Sequence, residues 1–149
     1  MSGRSVALFA VVGIPTLLYM GVPLGERTAY KSSRYSQETG ALKALQALNT
    51  AQVQYNSQFG RFARSLTELD ASNLIPADLA AGEKHGYKFT MTSTPQGYSV
   101  QAVPAVFGAT GSRTFYTDQS LVIRQNYGPE PATANSKEVG STVKAGENK

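Results

Sequence analysis

The chain predicts an α+β fold: an N-terminal transmembrane helix, then a long amphipathic helix packed on a small antiparallel sheet of about four strands. Three observations predict it. Residues 6–24 run without a charge, residues 41–59 repeat their apolar side chains at helical spacing, and beyond residue 87 that spacing shortens to two. The long helix has an apolar stripe that must be covered, and the only extended cover the sequence offers is the sheet.

Arg4 and the terminal amine precede the uncharged run. A helix rises about 1.5 Å per residue, so nineteen uncharged residues nearly cross a hydrocarbon layer of roughly 30 Å. Val6, Leu8, Phe9, Val11, Val12, Ile14, Leu17, Leu18, Tyr19, Val22 and Leu24, with Pro15 and Pro23, make up the expected membrane anchor, assigned to residues 1–25. Pro is tolerated in membrane helices because neighbours satisfy the backbone groups it frees. A secretory signal ends in a small-x-small cleavage site; GVPLGERTAY offers no clean one, so the anchor is expected to be retained. Residues 26–40 are polar and are assigned as a juxtamembrane linker, with Gly25 and Gly40 as breaks; a continuous helix from anchor to body, straight through Gly40, is the equal alternative. Arg27, Lys31 and Arg34 within it are candidate lipid head-group contacts, each worth about 1 kcal/mol at most beside an anionic surface. Against Arg4 alone, these three favour a cytoplasmic body by the positive-inside rule.

Residues 41–127 form the expected body. At about 100° per residue, Leu45, Leu48, Ala51, Tyr55 and Phe59 fall on one arc with Ala41 and Ala44 and define the core stripe. Gly60 follows where a left-handed C-terminal cap sits. Ser65 to Glu68 spells a capping box, S-x-x-E, and opens a short second helix. Tyr87, Phe89 and Met91 alternate with Lys88, Thr90 and Thr92, a Pro–Gln–Gly turn follows, and Tyr98, Val100 and Ala102 resume the alternation. Residues 113–117 and 121–124 flank another turn and predict a second hairpin. Residues 128–149 hold only Val139 and Val143 as bulky apolar side chains and are expected to be a disordered tail.

Chemistry finds little to work with. There is no Cys, so thiolate metal sites, thiol nucleophiles and C-x-x-C-H haem attachment are excluded. His85 is the sole histidine, in a turn-like stretch; no G-x-S-x-G occurs, and the carboxylates Glu68, Asp70, Asp78, Glu83 and Asp118 are scattered. The net charge of +4 is spread along the chain rather than gathered into a phosphate-tracking stripe. These features predict no catalytic residues, no cofactor, no metal and no nucleic-acid partner. Tyr87, Phe89, Tyr98, Phe115 and Tyr116 are expected mainly in the core, with a contact surface for a partner as the alternative.

Three blocks, ALKALQALNTAQVQYNSQFGRFARSLTELD, LIPADLAAGEKHGYKFTMTSTPQGYSVQAVP and GSRTFYTDQSLVIR, taken in that order and spacing, resemble the body of type IV pilins and of the major pseudopilin of type II secretion. The processing motif of that family, G-F-T-L-I-E, is missing: Gly3 is followed by Arg4, Ser5, Val6 and Ala7, and no Glu occurs before Glu26. Its calcium ligands near the C-terminal strands are reduced to Asp118. The resemblance implies a non-enzymatic subunit anchored in the cytoplasmic membrane by a single span, its body exported, its partners lipid and other protein subunits. With the processing motif missing, a structural or accessory role in a membrane complex is the expectation. A divergent minor pilin or pseudopilin in a filament is the alternative, and a cleaved, secreted binding domain the third reading.

Overall fold

A computed structural model describes residues 24–140, with side chains from residue 33 onward. The elements in chain order are α1 (Leu24–Phe59), α2 (Leu66–Ala71), α3 (Ala77–Ala80), β1 (Glu83–Lys84), β2 (Tyr87–Thr94), β3 (Gly97–Pro104), β4 (Arg113–Asp118), β5 (Arg124–Tyr127) and β6 (Lys137–Glu138). The strands form one antiparallel sheet in sequential order, β1 to β6, with every neighbour in sequence also a neighbour in space.

Two parts of the expected architecture are corrected. The sheet has six strands, not four, because two-residue strands extend it at each edge. The N-terminal transmembrane helix is not found: among the described residues no helix is long and apolar enough to cross a membrane. The one long helix, α1, includes Leu24 but then carries Glu26, Arg27, Lys31, Arg34, Glu38 and Lys43, a charge on nearly every turn. The remaining residues assigned to the anchor, from Val6 to Pro23, lie outside the described residues.

Over the residues assigned to the linker, the continuous-helix alternative is the one found. α1 is one helix of 36 residues that passes through both Gly25 and Gly40 without a break. Gly40 serves close packing instead, since a Cβ there would stand 2.5 Å from Cγ of His85. Gly60, at φ 69°, ends the helix, its N–H donating to Asn56 O at 2.8 Å.

Leu45, Leu48, Ala51 and Tyr55, with Ala41 and Ala44, are buried against Tyr87, Phe89, Tyr98, Val100, Ala102 and Phe115 of the sheet. Phe59 departs from the expected stripe: it is 54% exposed, at the last position of the helix, and its ring rests on Tyr55 with centroids 4.4 Å apart. α2 and α3 close the lower end through Leu66, Leu69, Ile75 and Leu79. Ser65 Oγ accepts the Glu68 N–H at 3.2 Å, while the Glu68 carboxylate reaches back to the Arg64 N–H at 2.7 Å and pairs with Arg61.

The segment expected to be a tail is, as far as Gly140, a strap across the outer face of the sheet. Thr114 Oγ1 and Asn126 Nδ2 donate to Glu130 O, Gln101 Nε2 to Ala132 O, and Arg124 Nη1 to Ser136 O. Ala132, within the strap, is fully buried, and β6 then pairs with β5. Apolar content fails to reveal such a segment because polar side chains of the sheet hold its carbonyls. Deleting residues 129–149 is therefore expected to cost about 2 kcal/mol, several backbone-directed hydrogen bonds at their usual net worth. In a thermal melt that is a drop on the order of 10 °C; an unchanged midpoint would mean the strap contributes nothing.

Candidate interaction surface

Three polar groups on the inner stripe of α1 fix how the helix sits on the sheet. Glu38 is buried, accepting the Ser112 N–H at 2.7 Å and the Ser112 hydroxyl at 2.8 Å while pairing with Arg113 through Nε and Nη2, both at 2.9 Å. Burial alone would raise its carboxyl pKa; the Ser112 and Arg113 hydrogen bonds and the Arg113 charge outweigh that and hold it below the usual value. Arg113 is itself held by Gln125 and lies over the rings of Phe115 and Tyr127.

Asn49, three turns further, donates to Thr117 Oγ1 at 3.0 Å and accepts from the Tyr98 hydroxyl at 2.9 Å. Gln52 forms a reciprocal pair with the backbone of Ala63, its amide donating at 3.1 Å and its oxygen accepting at 2.8 Å. Each of these groups is satisfied in one rotation of the helix only, so together they set the register that an apolar stripe leaves loose.

Beside α1, on the β5 side, Leu42, Gln46, Thr50 and Val53 face Leu121, Ile123 and Val139 across a groove of about 600 Å³. Val53 is 47% exposed and Leu121 48%. Leu121 also adopts φ 65°, a left-handed backbone that costs a side-chain-bearing residue about 1–2 kcal/mol. Its neighbours hold it there: its N–H donates to Asp118 O at 2.9 Å, its carbonyl accepts from Asn49 at 3.4 Å, and Val122 O accepts from Thr117 at 3.1 Å. This pinned loop is why the strand expected from residue 121 begins only at Arg124. Leu121→Gly is expected to raise stability by about 1 kcal/mol, read as a higher denaturant midpoint, because glycine takes the same conformation without strain. A lower midpoint would show that the side chain's packing outweighs its strain.

A second exposed patch lies where α1 meets the loop between β3 and β4. Val106 is 58% exposed and Phe107 46%, at the tip of a tightly tied loop. Gly108 N–H donates to Gly111 O at 2.7 Å, Thr110 N–H to Val106 O at 2.9 Å, and Val106 N–H to Thr110 Oγ1 at 3.1 Å. Arg34 Nη1 donates to Gly108 O at 3.3 Å and ties the loop to the helix.

Of the residues singled out in the sequence, the stripe from Leu45 to Tyr55 comes together in the core. Arg27, Lys31 and Arg34 lie along α1, with only Arg34 among the described side chains. Tyr87, Phe89, Tyr98 and Phe115 are buried, which removes them from any contact surface, while Tyr116 lies half-buried on the outer face and donates to Asp118. His85 is exposed, and among the described residues no group of three His, Cys, Asp or Glu is placed to hold a metal ion. Glu38, Asn49, Val106 and Phe107 were not singled out from the sequence. The spacing of Glu38 to Ala41 and Leu45 marks it as a charge on the buried stripe, and that is the signal for it.

In comparison with known proteins, no family model, no curated protein and no solved structure matches the chain.

Proposed function

We propose that this chain is a non-enzymatic, pilin-like subunit with a structural or accessory role in a larger protein complex. The observation that carries the reading is the length of α1 relative to what it packs on. Its 36 residues extend about 54 Å, whereas the longest strands, of 8 residues, extend about 27 Å. The first third of the helix, LGERTAYKSSRY, is polar in sequence, and a helix with no apolar stripe acts as a spacer between bodies rather than as part of one core. α1 thus holds the α+β body at a fixed distance from whatever its N-terminal end is attached to. The sequence resemblance to pilins is the ground for an exported body.

The filament reading draws on one further feature of the same helix. Pilins use a single long rod, and α1 runs through Gly25 and Gly40 as one. Gentle extraction from the source cells, native sizing and mass spectrometry of co-migrating chains separate the readings. A discrete complex of fixed composition supports the accessory role; homopolymers of variable length support the filament; a lone monomer sinks both.

A further inference from the structure

We propose that the loop tip of Val106 and Phe107 and the basic stripe of α1 beside it form one contact for an anionic lipid surface. The two apolar side chains, neighbours in sequence, are both solvent-exposed, and the loop that carries them is tied by its own hydrogen bonds. The tip is open: a Cβ added at Gly108 would meet nothing within 4 Å. Arg34 fastens this loop to α1. Positions 27, 31, 34 and 38 recur at the i, i+4, i+7, i+11 spacing of one helix stripe, and the first three are Arg27, Lys31 and Arg34. Glu38, the next on that stripe, is neutralised by Arg113, and Glu26 stands about 100° away from position 27. Lys43 and His85 lie near the same end, around a shallow depression that includes Tyr35, and add no negative charge.

The chemistry selects lipid over an acidic protein. A protein interface of standard size buries about 800 Å² on each partner around a packed centre, and a two-residue tip offers no such centre. A bilayer needs only an apolar tip to enter the head-group boundary and cations to meet its phosphates.

The absence of Cys permits a direct test on the full chain. Phe107→Cys is labelled with an environment-sensitive fluorophore, and Ser57→Cys, about 35 Å along α1 from Arg34, serves as the control. Each is titrated with phosphatidylcholine vesicles, with and without phosphatidylglycerol. The expected result is a blue shift at position 107 with the anionic vesicles, none at position 57, and loss of the shift in high salt. Combining Arg27→Gln, Lys31→Gln and Arg34→Gln should weaken the anionic titration roughly fivefold per charge, with circular dichroism confirming the fold. No shift at position 107, an equal shift at position 57, or a shift indifferent to lipid charge or to the three Gln substitutions would overturn the proposal. None of these outcomes depends on what the complex of the preceding section contains.

Discussion

Leu48→Asp is expected to leave the body unfolded at room temperature. Leu48 is fully buried midway along the inner stripe of α1, within the cluster that also holds Leu45 and Val100. An aspartate there loses the apolar transfer energy of the leucine, leaves a void, and places a carboxylate within the apolar core cluster. The combined cost, about 5 kcal/mol or more, is comparable with the whole stability of a small domain. Far-ultraviolet circular dichroism and a denaturant titration check it. A cooperative transition at the wild-type midpoint would mean that α1 is not the cover of the sheet.

Glu38→Ala is expected to destabilise by about 3–5 kcal/mol, because it strands the Arg113 guanidinium in a poorly solvated place. Replacing both residues together, Glu38→Met with Arg113→Met, is expected to recover most of that loss, since two apolar groups need no partner. The same pair sets an acid limit. The folded-state pKa of Glu38 is lowered, so its contribution is complete above the ordinary glutamate value of 4.5 and is lost as the pH falls from there through the lowered value. Thermal melts taken from neutral pH downward should show the wild type losing stability across that window more steeply than Glu38→Gln. Parallel curves would show that the carboxylate charge carries no stability.

The elements that sequence pattern revealed are those whose reason is local or periodic. Leu45, Leu48, Ala51 and Tyr55 announce their burial through helical spacing, the Ser65 cap through its S-x-x-E run, and the β2–β3 hairpin through alternation around a turn. Where pairing is between distant polar groups, the pattern is silent. Asn49 and Gln52 sit on the core stripe as apparent blemishes, and only the fold supplies Thr117, Tyr98 and the Ala63 backbone as their partners. The strap over Gln101 and Thr114 escapes for the same reason, since hydrogen bonds to carbonyls leave no trace in hydropathy. Phe59 fails differently: the period is right, but it is the last residue of the helix and its ring is left exposed. The loop of Val106 and Phe107 shows only as a stretch rich in Gly and Ala, and its exposure follows from being tied at its base.

The uninterrupted course of α1 gives the molecule a direction in which it bears force. A pull on the N-terminal end of the rod travels along its axis and reaches the sheet sideways, as shear shared at once among the packed stripe, the Glu38–Arg113 ion pair and the Asn49 and Gln52 bonds. A pull on the C-terminal side of β6 instead opens the strap and its two-residue ladder one contact at a time. Under tension the first end is the anchorage and the second is the fuse.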